Sequence, residues 1–216
     1  MKQESGETSD VILIGAGGHA LSLAEFSGHR ICGYIANEAN DKFSALWFGN
    51  DSVAKEVVSQ DKPLHIAFIY SGLPVMSARR KIIEYYDSLG ASYASLISPV
   101  AIVTANSVVG VGCAVMSGAI VNRASLGAHV VVNSGAIVEH DCSIGNNTFI
   151  GPGAVIGGFT NIGSNCFIGL GARVSNGITI GDNITVAMGA IVTKNLTKPG
   201  IYHGYPLRHY PYVDQL

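Results

Sequence analysis

Aliphatic residues recur at every sixth position through the second half of the chain, with mostly polar or small residues between them. The series comprises Ile102, Val108, Ala114, Ile120, Leu126, Val132, Val138, Ile144, Ile150, Ile156, Ile162, Ile168, Val174, Ile180, Val186 and Val192. Fifteen of these sixteen residues are Ile, Val or Leu, and we expect the whole series to point into one core. A period of six fits neither an α-helix nor a two-sided strand.

This period predicts a left-handed parallel β-helix of hexapeptide repeats, in which each repeat forms one short strand and one corner. Three repeats complete a coil, and successive coils stack at the ~4.8 Å spacing of neighbouring strands. Glycine follows the aliphatic residue in seven repeats, and we expect it to supply backbone freedom at the corners. These glycines are Gly127, Gly145, Gly151, Gly157, Gly163, Gly169 and Gly181. The constant spacing disfavours a β-sandwich, whose strands would be longer.

Short apolar segments alternate with helical ones before Pro99 and predict a small parallel sheet. We expect strands at 11–14, 31–35, 64–70 and 94–97, and helices near 21–26, 51–59 and 75–89. The chain therefore divides into a Rossmann-like α/β domain (1–99), the β-helix (100–197) and a C-terminal tail (198–216).

The first predicted strand leads into the sequence GAGGHA at residues 15–20 and then into a helix. Backbone N–H groups at such a turn, and at the helix N-terminus, can hold a phosphate group. The pattern is an incomplete GxGxxG, so a tight turn without a ligand is the alternative. NAD binding is disfavoured, because Ala36 and Asn37 replace the acidic residue that would end the second strand.

Charge and hydropathy exclude several classes of partner. The chain has 13 basic and 15 acidic residues, which leaves no basic excess for a nucleic-acid backbone. No apolar run approaches the ~20 residues of a membrane-spanning helix. The first ten residues are polar and do not form a signal peptide, so we expect a cytoplasmic protein without membrane insertion.

His140 is the strongest candidate for chemistry. It follows the inward Val138 by two positions, so its side chain should point outward, and Asp141 could orient its ring. A histidine that titrates near neutrality suits the removal of a proton during acyl transfer. A solvated surface histidine is the alternative. A zinc site is not expected, because His129 is the only other histidine in the repeats and such a site needs three.

Four features together resemble the sugar O/N-acyltransferases of bacterial surface-glycan synthesis: GAGGHA, the uninterrupted repeats, NSGAIVEHDCSIG at 133–145, and GYPLR at 204–208. That family includes UDP-4-amino-sugar N-acetyltransferases of the bacillosamine type and sialic acid O-acetyltransferase-like proteins. The resemblance implies acetyl-CoA as donor, a nucleotide-linked amino sugar as acceptor, and a homotrimer with active sites between neighbouring β-helices. O-acetylation of a sugar or a sialic acid is the alternative reaction, and a non-catalytic trimeric scaffold is the alternative to an enzyme.

The same resemblance implies residue roles. His140 would be the catalytic base, and Asp141 would raise its basicity. The residues implied in acceptor binding are Gly17, Gly18, His19, Asn37 and Asn133, those implied in coenzyme A binding are Gly158, Leu170 and Met188, and no metal is implied.

Three positions depart from the family pattern. Phe149 stands where many relatives have a second histidine, nine residues after the base. Ala36 and Asn37 replace an acidic pair, and residues 69–71 replace a Gly-Asn or Gly-Asp turn. The last two departures affect the nucleotide pocket, so the identity of the acceptor stays open.

Overall fold

The structure is a computed structural model that describes residues 10–26, 29–69, 75–204 and 206–211. Three predicted features extend beyond these residues: the end of the strand at 64–70, the turn at 69–71, and GYPLR, which includes Tyr205. The described residues form an α/β domain and a parallel β-helix that pack against each other.

The α/β domain contains a four-stranded parallel sheet in the order β3-β2-β1-β4. Its strands are β1 (Asp10–Ile14), β2 (Arg30–Ile35), β3 (Leu46–Gly49) and β4 (Leu64–Ile66). Its helices are α1 (Gly18–Phe26), α2 (Ala54–Val58), which a 3-10 turn at Asp51–Val53 precedes, and α3 (Val75–Ser88). The central strands are nearly continuous apolar runs because helices and the β-helix cover both faces of the sheet.

One strand prediction for this domain was wrong. The sheet instead includes the edge strand β3, which was not predicted from the sequence. Its residues Leu46 and Trp47 are exposed, and they do not show the alternation of apolar and polar residues that indicates a strand. The segment predicted at 94–97 instead forms β5 (Leu96–Ile97), which pairs with Ala114–Val115 of the β-helix. The strand predicted at 64–70 ends at Ile66.

The β-helix consists of short parallel strands joined by corners. After β5 come β6 (Ile102–Val103), β7 (Val108–Val109), β8 (Ala114–Val115), β9 (Ile120–Val121), β10 (Ser125–Leu126), β11 (Val131–Val132), β12 (Ile137–Val138), β13 (Ser143–Ile144), β14 (Phe149–Ile150), β15 (Val155–Ile156), β16 (Asn161–Ile162), β17 (Phe167–Ile168), β18 (Arg173–Val174), β19 (Thr179–Ile180), β20 (Ile184–Val186) and β21 (Ile191–Val192). A hairpin of β22 (Gly200–His203) and β23 (Arg208–Tyr210) ends the described fold.

These strands stack into three sheets that form the faces of a prism. The five-stranded face is β7-β10-β13-β16-β19, and the six-stranded face is β6-β9-β12-β15-β18-β21. The eight-stranded face runs from β5 through β8, β11, β14, β17 and β20 to the terminal hairpin. The predicted repeat architecture is therefore confirmed.

The predicted register of the first repeats was wrong by one residue. Val103, Val109, Val115 and Val121 point into the core, whereas Ile102 and Val108 are exposed. Strand β10 pairs with β7 at an offset of seventeen residues, as Leu126 does with Val109, and with β13 at the usual eighteen. The cause is a three-residue corner at 122–124, which lacks one residue of the normal repeat. Because Ile and Val occupy both positions of these early strands, the sequence pattern does not reveal the change of phase.

The predicted role of the repeat glycines was also wrong. A Cβ atom on Gly145 would lie 2.5 Å from the backbone carbon of Gly163, one coil away, and its φ is not positive. Glycine is thus required there by close stacking of successive corners. Backbone freedom is needed two positions later, where φ is positive at residues such as Asp141 and Gly153.

The α/β domain covers the outward side chains of the eight-stranded face. Val11 and Leu13 of β1 belong to one buried cluster with Val131 and Phe149 of that face. Phe149 is 5% exposed and stacks on Phe167, with ring centroids 4.9 Å apart. Phe149, which departs from the family pattern, therefore fills the interface between the domain and the β-helix.

None of the described helices is long and apolar enough to span a bilayer.

Candidate active site

Three columns of corners run along the prism, and we name each by one residue. The His140 corner joins the six- and five-stranded faces, the Asn147 corner joins the five- and eight-stranded faces, and the Leu170 corner joins the eight- and six-stranded faces. Most corners contain one residue in the left-handed conformation, and in the coil of His140 that residue is Asp141, with φ of 58°. The aspartate tolerates this backbone better than most residues do.

His140 and Asp141 form a hydrogen-bonded pair on the surface of this corner. The His140 Nδ1 atom lies 2.9 Å from Asp141 Oδ2, and the two side chains are 44% and 41% exposed. An ionised carboxylate only accepts hydrogen bonds, so the donor in this pair is Nδ1–H, and a neutral ring with its proton on Nδ1 has its lone pair on Nε2. Arg123 of the preceding coil lies 3.7 Å from the second carboxylate oxygen.

Gly158 lies directly beside the imidazole, one coil further along. A Cβ atom on this residue would come within 2.9 Å of His140 Cε1 and Nε2, so glycine leaves the space that the ring occupies. Among the described residues, the Gly158 N–H donates no backbone hydrogen bond. The His140 imidazole and the backbone of Gly158 are therefore adjacent.

Phe159 completes this cluster and was not predicted from the sequence. Its ring meets the His140 ring edge to face, with centroids 5.0 Å apart and an interplanar angle of 89°. The side chain is 60% exposed. The available sequence signal was a Phe at a corner position where the other coils have Gly or a polar residue.

The other residues implied for the β-helix lie elsewhere. Asn133, Leu170 and Met188 all belong to the Leu170 corner, at the opposite edge of the six-stranded face from His140. Leu170 and Met188 are 48% and 74% exposed and form an apolar strip along that corner. Asn133 is half-buried, and its Oδ1 accepts a hydrogen bond from Ser134 N. One chain thus does not bring this strip into contact with His140.

The glycine loop of the α/β domain is open to a ligand. Helix α1 begins at Gly18, and both Gly17 and Gly18 are exposed, with no atom within 4 Å of an added Cβ. Gly15 has φ of 113° and sits against the backbone of Ala67, so it makes the sharp turn after β1. Free N–H groups at the start of a helix suit an anionic ligand.

A cleft of about 210 Å³ lies beside this loop, at the carboxyl ends of β1, β2 and β4. This is where ligands bind in open parallel sheets. Asn37 and Asp51 both line the cleft and are exposed, and Asp51 was not predicted from the sequence. The buried Tyr86 donates a hydrogen bond of 2.9 Å to Asp51 Oδ1, and burial raises the Tyr86 pKa above its usual range. Asp51 was missed because it follows β3, the strand that the sequence does not signal.

His19 occupies a different position from its neighbours in the loop. Burial, and then the nearby Arg79, lower the pKa of His19 to about 4, and its Nε2 atom is buried without a hydrogen-bond partner. The imidazole therefore lies inside the protein as a neutral group. Its backbone remains in the first turn of α1, beside Gly17 and Gly18.

Arg79 joins the α/β domain to the Asn147 corner. This fully buried side chain donates to Phe68 O at 3.1 Å, to His129 O at 2.9 Å and to Asn147 Oδ1. His129 is also buried, and burial followed by Arg79 lowers its pKa to about 4. His129 is therefore a mostly buried, neutral residue of the interface. The described residues contain no group of three or more side chains that could hold a metal ion.

The two halves of the candidate site lie on opposite parts of the molecule. The α/β domain with its glycine loop covers the eight-stranded face, and the His140 corner is the edge of the prism opposite that face. Within one chain, a ligand in the cleft is therefore separated from His140 by the β-helix itself.

Comparisons with known proteins point to transferases. The model of the bacterial transferase hexapeptide (six repeats) matches residues 123–158, and that of the hexapeptide repeat of succinyl-transferase matches 159–194. A search among curated proteins gives no match.

Solved structures match nearly the whole chain. The acetyltransferase domain of PglB from Neisseria gonorrhoeae is 27% identical, with 94% of this chain and 100% of that chain covered and a TM-score of 0.85. A structure of that domain also contains acetyl coenzyme A. PerB from Caulobacter crescentus, solved with CoA and GDP-perosamine, is 28% identical, with 94% and 98% covered and a TM-score of 0.83. WeeI from Acinetobacter baumannii is 20% identical over 93% and 99%, with a TM-score of 0.74, and supports the fold alone.

Proposed function

Because this chain belongs to the sugar O/N-acyltransferases of the hexapeptide-repeat class, we propose that it transfers an acetyl group from acetyl-CoA to the amine of a nucleotide-linked amino sugar. The observation that carries the proposal is the His140–Asp141 pair beside Gly158. The reaction would belong to surface-glycan synthesis. We place it in the cytoplasm, where acetyl-CoA and nucleotide sugars are made.

The proposed chemistry uses His140 as general base. As the amine attacks the thioester carbon, Nε2 of His140 takes a proton from the amine, and Asp141 stabilises the imidazolium that forms. The Gly158 N–H can donate to the oxyanion of the tetrahedral intermediate. Collapse of the intermediate breaks the carbon–sulfur bond, and the proton goes to the departing thiolate, which gives the amide and free coenzyme A.

We propose that the pantetheine arm lies along the apolar strip of the Leu170 corner. Leu170 and Met188 expose apolar surface that one chain leaves uncovered. The thioester can reach His140 only if the Leu170 corner of one chain faces the His140 corner of another. The donor groove therefore needs two copies of the chain.

The acceptor nucleotide is proposed to bind in the cleft of the α/β domain. Its phosphates would lie on the N–H groups around Gly17, Gly18 and His19, with Asn37 at the side of the cleft. Asn133 would lie near the amine of the acceptor. Because the cleft and the His140 corner of one chain are on opposite sides of the prism, the acceptor would present its amine to the base of a neighbouring chain.

The outward side chains of the three faces support a homotrimer. The eight-stranded face is covered by the α/β domain, and the five-stranded face is mainly polar, with Ser125, Ser143, Asn161 and Thr179 pointing outward. The six-stranded face has the mainly apolar ladder Ile102, Ile120, Ile137, Val155, Arg173 and Ile191. A contiguous apolar face of this kind marks an interaction site, and we propose that it packs against other copies around a threefold axis.

The proposal is tested by release of coenzyme A thiol from acetyl-CoA. The acceptors are UDP- and GDP-linked amino sugars, the same sugars without a nucleotide, and nucleotide sugars that have only hydroxyl groups. We expect turnover with a nucleotide-linked amino sugar and little with the others. Turnover confined to hydroxyl acceptors would establish O-acetylation instead, and no turnover with any acceptor would favour the scaffold.

A further inference from the structure

Phe159 has an unusual backbone conformation for an aromatic residue. It turns the His140 corner with φ of 60°. The other described non-glycine residues with positive φ are all polar: Asp61, Arg123, His129, Asp141, Asn147, Asn165 and Asn183. A bulky side chain is strained in this conformation, and strain of this kind is concentrated at functional sites.

Within one chain, the Phe159 side chain gains little burial in return for this strain. It is 60% exposed, so the ring contributes little to the core of the β-helix. Its aromatic partner is the imidazole of His140, which it meets at 5.0 Å in a T-shaped arrangement. The strained residue is thus paired with the residue proposed as the base.

The His140 ring needs this second contact. Its hydrogen bond to Asp141 holds Nδ1 alone, and both side chains are nearly half exposed. When this exposed hydrogen bond breaks, the ring can rotate about its Cα–Cβ and Cβ–Cγ bonds, which moves Nε2 away from Gly158. The Phe159 ring lies against the imidazole and restricts this rotation, because edge-to-face aromatic pairs have a preferred geometry.

We propose that Phe159 is a positioning residue for acetyl transfer, which holds the His140 imidazole so that Nε2 stays beside Gly158. This inference rests on the proposed role of His140 as base. Phe159 itself acts through His140 and takes no part in proton transfer.

Phe159→Asn separates this role from a structural one, because the two predict opposite effects on stability. Asparagine favours left-handed φ and already occupies the equivalent corner position at Asn147, Asn165 and Asn183. We therefore expect the Tm of the variant to equal or exceed that of the wild type. Since misplacement of a catalytic group can cost ~10²-fold, we expect kcat to fall about 10- to 100-fold, with the KM for acetyl-CoA little changed.

Two further variants serve as controls. Phe159→Tyr keeps the aromatic ring and should retain most of the activity. Val111 is another apolar residue at a corner; it is 59% exposed and lies on the Asn147 corner, away from His140. Val111→Asn should therefore leave kcat unchanged. Wild-type kcat in Phe159→Asn, or an equal loss in Phe159→Tyr, would overturn the proposal. So would a loss of activity that follows a fall in Tm.

A measurement without turnover separates this inference from the proposed function. In NMR spectra of the wild-type protein with ¹³C-labelled histidine, the ring current of Phe159 should displace the His140 Cε1–H resonance. The displacement should disappear in Phe159→Asn and persist in Phe159→Tyr. An unchanged resonance in Phe159→Asn would overturn the positioning role even in an active enzyme. The expected change in a protein without turnover would support the positioning role while contradicting the proposed reaction.

Discussion

Asp141 combines two properties that its position requires. Its backbone takes the left-handed conformation that turns the corner, and its carboxylate accepts the hydrogen bond from His140. The sequence indicated this pair, because a histidine two positions after an inward residue must point outward and the next residue is acidic. It did not indicate Phe159 or Asp51, because their importance depends on neighbours one coil or one strand away.

Removal of the imidazole should abolish most of the activity. A general base is commonly worth ~10²–10⁴ in rate, so we expect His140→Ala to lower kcat by about that factor. Acetyl-CoA affinity should change little, because the ring acts on the acceptor amine. Steady-state kinetics and calorimetric titration with acetyl-CoA measure the two effects separately.

Asp141→Asn should cause a smaller loss of kcat than His140→Ala. Asparagine tolerates the left-handed corner, so the variant removes the charge but keeps the backbone. Asp61→Asn is the matched control, because Asp61 also has positive φ and lies in the α/β domain. An Asp141→Asn enzyme as active as the control would contradict the supporting role of the carboxylate.

At the scale of elements, the period of six predicted the stacked strands, but their phase required the structure. The corner at 122–124 is one residue short, and both strand positions before it are aliphatic, so the pattern fits two registers equally well. Similarly, the sequence located the glycines of the repeat but not their physical role. Close packing between coils is a property of pairs of corners eighteen residues apart, which a single repeat does not reveal.

The close stacking of corners predicts that Gly→Ala lowers the free energy of unfolding by different amounts at equivalent corner positions. In Gly145→Ala, the new Cβ would lie 2.5 Å from Gly163, and overpacking of this kind costs about 1–3 kcal/mol. In Gly181→Ala, the nearest atom to the Cβ is 3.5 Å away, an ordinary contact. Chemical denaturation should therefore show a lower free energy of unfolding for Gly145→Ala and little change for Gly181→Ala. Equal effects would contradict the role of stacking.

At the scale of the whole molecule, the relative position of the two domains is the main result that sequence analysis did not provide. The sequence predicted a glycine loop and a candidate base, but not that the β-helix separates them within a chain. That separation depends on which face the α/β domain covers, and the buried cluster that contains Leu13 and Val131 shows that it is the eight-stranded face. The proposed reaction therefore needs the proposed assembly.

A charge on the six-stranded face should break the assembly. Ile137 points outward in the middle of the apolar ladder, and an unpaired charge in a buried interface is strongly unfavourable. Light scattering should give three chain masses for the wild type and a lower mass for Ile137→Asp. Ser143→Asp, on the polar five-stranded face, is the control and should keep the wild-type mass. A monomeric wild type, or equal dissociation of both variants, would contradict the proposed interface.

The central claim is that acetyl transfer occurs between the nucleotide cleft of one chain and His140 of another. Two inactive variants test it: His140→Ala lacks the base, and Gly17→Asp places a negative charge where the phosphates would bind without a steric clash. When the two are unfolded together, mixed in equal amounts and refolded, a cyclic trimer should recover roughly a quarter of wild-type turnover, because one interface in four combines an intact base with an intact loop. No recovery above the separate variants, in trimers shown to be mixed, would contradict a site shared between chains.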